Sequence, residues 1–370
     1  MNKLIPTTDL ENCFNRSNAN TERSKELQSQ FNAAITDEPN IRRRDLADKL
    51  NISEAEIIDA QLGVKSLRLS DDFSKIIHSL PALGYVMTLT RNEAVVHEKK
   101  GVYENIKIHN ERMGLVISPD KKIDLRLFLD KWKQAFVVHE NGRFGDRFSI
   151  QIFDVYGTAI QKIFIQDQAG LDELYAFIQS EMAEDQELHK QYQENQPQHK
   201  NKSVHPDESI NATAVKQDWS NMTDVHQLIN ILKQHEIGRE QILRIVGEES
   251  AIRFDPNKLH DLLTELAEQE IPIMCFVGNW GCIQIHTGEI HKIKVLGQWL
   301  NILDKEFNLH IDSNKIARAW LVKKPTADGE ITSLEFYQDD ETLVLQFFGK
   351  RIEGKAENNQ WRDVANSSIS

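Results

Sequence analysis

Cysteine is scarce and unpatterned in this chain. Three occur in 370 residues, Cys13, Cys275 and Cys282, and no C-x-x-C pair is present. An odd count without a pairing pattern excludes a disulfide framework and fits a reducing compartment. Cys275 and Cys282 lie in an apolar stretch and are expected in a packed core. Long apolar runs are also missing: no window approaches the roughly 18 residues a bilayer-spanning helix needs, so the chain is not expected to be membrane-embedded. The opening segment, MNKLIPTTDLENCFNRSN, lacks the apolar stretch of a secretory leader, which makes a cytoplasmic location the expectation. Positive charge is in deficit, with 44 Lys and Arg against 57 Asp and Glu and a net charge of −13. That balance counts against nucleic acid as a partner, because phosphate neutralisation supplies most of such affinity. No Gly-rich phosphate loop, G-x-S-x-G elbow or H-E-x-x-H pair occurs.

What is present is an ordinary globular composition, 40% hydrophobic and 27% charged, in a length that suits two domains. Residues 24–62 carry apolar positions at helical spacing (Leu46, Ala47, Leu50, Ile57, Ile58), and Ser53 with Glu56 makes a capping box. From 85 to 165 short apolar runs separated by turn residues predict antiparallel strands, and 171–182 is helical again. Residues 185–214 are polar and rich in Gln, Asn, His and Lys, which makes a linker whose His189, His199 and His205 are expected in solvent. Helices are then expected over 219–266 and strands over 271–346.

The order repeats, and so do residues. Without gaps, Met87 meets Met274, Asn92 meets Asn279, Gly101 meets Gly288 and Lys107 meets Lys294. After a three-residue shift, Leu125 meets Leu309, Lys131 meets Lys315 and Ser149 meets Ser333. The pattern predicts an α+β fold made by tandem duplication, each half a large antiparallel β-sheet with packed helices, over 25–184 and 215–368. The copies differ at polar positions: His97 meets Gln284 and Arg126 meets His310.

Several segments carry candidate chemistry. Residues 45–63 have the form of a helix-turn-helix, but Glu54, Glu56 and Asp59 would repel phosphate and the pattern returns at 231–247. A helical layer packed on a sheet is therefore expected rather than a transcription factor. Thr223 is a fair N-cap, which puts His226 in the first turn of a helix beside a stripe of Val225, Leu228, Ile229 and Leu232. A helix N-terminus disfavours imidazolium and keeps a nitrogen free for a metal; on position alone, a surface or capping histidine is the favoured reading. Arg126 shares one side of a strand with Asp124, Phe128 and Asp130, either as a surface ion pair or as a fixed cation over a ligand. Phe276, Trp280, Phe347 and Phe348 can line an apolar slot with Lys350 and Arg351 at its edge, suited to a flat, carboxylate-bearing ligand; the alternative is sheet core with a basic turn. Residues 284–288 have the composition of a hairpin, and His286 there has no partner at ligand spacing.

Together the segments TRNEAVVHEKKGVYEN, IDLRLFLDKW, WSNMTDVHQL, FVGNWGCIQIHTG, KKPTADGEITSLEF and FFGKRIEG resemble the hemin-degrading (hemin-transport) family of bacterial haem-uptake systems, from about residue 42 to 361. The resemblance implies a protein of two similar halves that binds haem, iron protoporphyrin IX, in a cleft involving both. It implies His226 as the proximal iron ligand and Arg126 as the distal residue that stabilises negative charge on oxygen at the iron or orders a distal water. Lys350 and Arg351 match pocket or propionate contacts, Lys323 and Lys324 are placed to neutralise propionates, and Phe348 stands where relatives often have Tyr. His97 matches a histidine of a possible second haem site. The implied activity is oxidative opening of haem to release iron, with an external electron donor, a reductase or a small molecule, and an inner-membrane haem importer as a possible partner. The alternative is a non-enzymatic carrier or store that buffers haem and hands it on.

Overall fold

The computed structural model describes residues 10, 13–14, 22–38, 41–142, 145–186, 192–193, 203, 205–351, 354–367 and 369. Its elements follow one another twice in one order. The first pass is α1 (Glu22–Asp37), α2 (Arg43–Leu50), α3 (Glu54–Asp59), β1 (Ser66–Arg68), α4 (Phe73–Ser79), β2 (Val86–Arg91), β3 (Val95–Gly101), β4 (Ile106–His109), β5 (Met113–Ile117), β6 (Asp124–Phe128), β7 (Gln134–Gly142), β8 (Gly145–Phe153), β9 (Ala159–Ile165) and α5 (Gln168–Glu181). The second is α6 (Ala212–Ser220), α7 (Leu228–His235), α8 (Arg239–Val246), β10 (Ala251–Phe254), α9 (Leu259–Glu268), β11 (Ile273–Gly278), β12 (Cys282–Gly288), β13 (Ile293–Leu296), β14 (Trp299–Leu303), β15 (Phe307–Asp312), β16 (Arg318–Thr326), β17 (Gly329–Tyr337), β18 (Leu343–Gly349) and α10 (Asn359–Ser367).

The chain packs as two compact units. One comprises residues 1–90, 99–196 and 279–283, the other 91–98, 197–278 and 284–370. In the first, β1, β7, β8, β9 and β2 pair antiparallel in that order, and β4, β5 and β6 form a meander. In the second, β10, β16, β17, β18 and β11 repeat that order, and β13, β14 and β15 repeat the meander. The fold is thus α+β by tandem duplication, with antiparallel sheet and packed helices in each copy.

Each unit includes a short hairpin tip from the sequence half of the other, and the aligned asparagines hold these tips. Asn92 Oδ1 accepts from the N–H groups of Ala94 and Val95, and its amide donates to Val344 O. Asn279 Oδ1 accepts from Gly281 and Cys282, and its amide donates to Ile160 O. Gly281 is required there: a Cβ would lie 2.6 Å from Ile160 Cδ1.

The helix-turn-helix segment is a structural layer. Ser53 and Glu56 form the expected capping box. Asn51 breaks the 24–62 helical stretch in the left-handed region at φ 52°. Ala55, Ile58 and Leu62 pack with Phe136, Val138 and Phe153 of the first unit's sheet, and burial of each of the side chains larger than alanine supplies about 1.5–3 kcal/mol. Two of the three acidic residues expected to repel phosphate face inward instead, Glu54 paired with Lys162 and Asp59 with Arg68, while Glu56 is held in the capping box.

Other expectations shift by a few residues. Helix α6 begins before residue 219 because the Asn211 side chain caps it and Val215 and Trp219 bury one face. Residues 284–288 lie within β12 rather than forming a hairpin; His286 is buried and stacks on Phe307 at 3.8 Å. Cys275 and Cys282 are buried thiols that form no disulfide, and burial pushes the Cys282 thiol up to about 12. His189 and His199 lie outside the described residues. Among those described, no helix is long and apolar enough to cross a membrane.

Candidate functional site

The segment Met222–Gln227 determines how His226 is presented. Asp224, not Thr223, is the cap: it opens a short 3-10 turn over Val225–Gln227 that runs into α7. One Asp224 oxygen accepts the His226 backbone N–H at 2.7 Å and lies 2.6 Å from His226 Nδ1. Gln227 Oε1 closes the box on the N–H groups of Thr223 and Asp224. The Ala327 N–H, at the β16–β17 turn, donates to Thr223 O at 2.9 Å and ties this segment to the second unit's sheet. The buried side of α7 is Leu228 and Ile231, packed with Trp219, Met222, Trp320 and Tyr337. Ile229, expected in the buried stripe, is instead 52% exposed, and the His226 side chain is 87% exposed. Three residues apart, they share one helical face.

The bonds from the His226 backbone and ring hold the Asp224 carboxyl below the usual carboxylate range, and the charge of Arg351 adds to this. Arg351 and Lys350 are exposed just beyond β18, where the Lys350 N–H donates to Pro272 O.

The same end of the sheet carries a half-buried aromatic face. Met274 is paired in register with Phe348 and Phe276 with Gln346; the Phe276 and Phe348 rings meet edge-on at 5.2 Å. Phe347 points to the opposite side, into the core, and Trp280 belongs to the first unit, where its indole N–H donates to Asp154. The four-aromatic slot is therefore reduced to Phe276 and Phe348.

Lys323 and Lys324 point to opposite faces of β16. Lys323 is half-buried. Lys324 is buried, with its ammonium 5.6 Å from the Phe348 ring centroid, bonded to Ser333 Oγ and ion-paired with Glu335. Glu335 also meets Arg239 at 3.3 Å and accepts from Tyr337 Oη at 2.6 Å. Burial raises the Glu335 carboxyl, but Arg239 and Lys324 outweigh it and hold the group well below the carboxylate range. Sequence reading missed this network because Lys324 meets Glu335 only across the β16–β17 pair and Arg239 reaches it from α8, 96 residues away. It also missed Asp224, for which the D-x-H spacing was the available signal.

In the first unit, Arg126 lies on β6 opposite Leu115, half-buried and ion-paired with the buried Asp124. Leu125, Leu127 and Leu129 face the core, as alternation requires. Asp130 falls beyond the strand, in a 3-10 turn. Phe128 borders an open cleft of about 470 Å³ lined also by His109, Arg112, Met113, Lys131 and Trp280. His97 is fully buried in the second unit, 5.0 Å from the Phe307 ring, so a haem there would have to displace core packing.

The haemin-degrading HemS/ChuX domain model matches residues 51–192 and again 236–367. The hemin transport protein HemS of Yersinia enterocolitica is 38% identical over 344 residues, 92% of this chain and 96% of that protein. HmuS of Yersinia pestis, also a hemin transport protein, is 38% identical over 338 residues, 91% and 95% of the two chains. The crystal structure of holo-PhuS, a heme-binding protein from Pseudomonas aeruginosa, superposes with a TM-score of 0.89 at 38% identity, covering 93% of this chain and 98% of that one. That of ChuS, an E. coli heme oxygenase, gives 0.78 at 35% identity, covering 88% and 96%.

Proposed function

The chain belongs to the haemin-degrading HemS/ChuX family, and from that premise we propose that it binds haem through His226 and opens the macrocycle oxidatively to release iron in the cytoplasm. The observation that carries the reading is the Asp224–His226 pair: an exposed imidazole in a turn held by backbone bonds, with Nδ1 against a carboxylate and Nε2 left for iron. The surroundings fit a flat dicarboxylate. Phe276 and Phe348 offer apolar contact, and Lys350 and Arg351 offer charge to propionates. Lys324, committed to Glu335, acts from beneath Phe348 rather than as a free propionate partner. Haem supplies the iron at which oxygen is activated. Arg126 supplies a fixed positive charge for the negative charge that develops during turnover. Electrons come from an external donor, and delivery from an inner-membrane importer is compatible with this role.

A carrier reading is favoured by the description of both Yersinia relatives as hemin transport proteins. The same residues would then hold haem for transfer. Titration with hemin, followed by ascorbate under air, separates the two. A saturable Soret band that decays to open-chain absorbance supports degradation, and one that persists supports the carrier. His226→Ala is expected to weaken haem binding at least tenfold, about 1.4 kcal/mol, or to change the ligation; an unchanged Soret band and affinity would remove the assignment.

A further inference from the structure

Two carboxylate–histidine pairs flank α7, and they grip opposite ring nitrogens. Asp218 lies 2.7 Å from Nε2 of His235, whose side chain is 13% exposed. Asp224 lies 2.6 Å from Nδ1 of His226, which is 87% exposed. An ionised carboxylate only accepts, so the nitrogen facing it must carry the proton. A neutral imidazole has one N–H, which leaves the other nitrogen as the donor of a lone pair.

We infer that Asp224 is a positioning residue for the iron ligand: its carboxylate selects the Nδ1–H form of His226, aims Nε2 outward, and lends the ring negative charge that favours ferric over ferrous iron. The tautomer stands on the chain's geometry alone; the effect on iron rests on the haem reading above. A carboxylate on the remote N–H raises the basicity of a ligating imidazole, and a more basic ligand stabilises the higher oxidation state. The carboxylate is itself held. The oxygen on Nδ1 also accepts the His226 backbone N–H, Gln227 Oε1 receives the Asp224 N–H, and Ala327 secures Thr223 O. The turn thus keeps the carboxylate on the ring before any ligand arrives. His235, with the opposite arrangement and little exposure, serves as an internal control.

The variants are chosen to leave the fold intact. Asp224→Asn keeps a good N-cap and removes only the charge; Asp224→Ala removes both. In the apo full-length protein at about pH 8.5, where an ordinary imidazole is neutral, long-range 1H–15N spectra should show the His226 proton on Nδ1 and the His235 proton on Nε2. Asp224→Ala should abolish the His226 preference and leave His235 unchanged. In the haem-loaded protein, Asp224→Asn should raise the ferric/ferrous midpoint potential; a tenfold loss of ferric preference corresponds to about 59 mV. A His226 proton on Nε2 in the wild type overturns the inference, as does a potential unmoved in both variants. If His226→Ala leaves the haem spectrum unchanged, the effect on iron falls with the haem reading, while the apo tautomer still decides the rest. If His226→Ala abolishes binding and the Asp224 variants shift nothing, this inference alone is overturned.

Discussion

Glu335 serves Lys324, Arg239 and Tyr337 at a point that water does not reach. Removing the carboxylate leaves the charges of Lys324 and Arg239 without their counter-ion, which costs more than the pairing gains. Glu335→Gln should therefore lower unfolding free energy by about 3–5 kcal/mol in urea titrations. The pH dependence has a definite sign. Glu335 has a folded-state value held well below the carboxylate range, so its contribution is complete above the unfolded value, about 4.3, and is lost as pH falls towards the folded value. Below about pH 4 the wild type should lose stability more steeply than Glu335→Gln, and equal slopes would contradict the assignment. Arg126 is tested differently, because Asp124 beneath it is buried and needs a cation. Arg126→Lys keeps a charge for Asp124 but loses the planar fork. It should leave haem affinity within about threefold while slowing turnover by on the order of 100-fold, measured in the ascorbate assay; equal turnover counts against a distal role.

At the scale of elements, the duplication is expressed in matched devices. Asn92 and Asn279, aligned in sequence, brace equivalent turns with equivalent bonds. Asn92→Ala and Asn279→Ala should each cost about 1–3 kcal/mol, with similar values in both units by denaturant unfolding. Close packing sets another limit. A Cβ at Gly349 would fall 2.7 Å from the Trp361 ring, whose N–H donates to Thr332 O and seats α10 on the sheet. Gly349→Ala should cost about 1–3 kcal/mol through overpacking and alter the near-ultraviolet signal of Trp361. The repeat, the strand alternation and the Ser53 capping box were legible because they depend on local spacing. The orientation of α7 was not. Thr223 and Asp224 are both good caps by type, and only the bond from Ala327 to Thr223 O and the burial of Ile231 select the helical face that places Ile229 and His226 outside.

For the whole molecule, the two exchanged tips mean that a cut in the linker removes a piece from each unit. A chain ending at residue 196 would lack Gly281, whose carbonyl accepts from the Phe128 N–H and the Trp132 indole. It would also lack Trp280, which donates to Asp154. Each half expressed alone should melt below the full-length chain, and halves as stable as the whole would show that the tips contribute little. Ligand linkage gives a separate test. Hemin free at 100 times its Kd should stabilise the chain by about 2.7 kcal/mol, and His226→Ala at the same hemin concentration should keep no more than about 1.4 kcal/mol of that gain with an unchanged unliganded melting temperature.

The sequence by itself determined the duplication, the alternation that buries Leu125, Leu127 and Leu129, the absence of a disulfide framework and, through joint motifs, the family. These depend on periodicity and composition, which the linear order carries directly. Only the tertiary structure decided that Lys324 belongs to Glu335 rather than to solvent, that Phe347 and Trp280 leave the aromatic face to Phe276 and Phe348, and that His97 is core. Each of these depends on which strands are neighbours and which face is covered. Pairing partners distant in sequence are chosen by the packing of the whole sheet, and no local spacing encodes that choice.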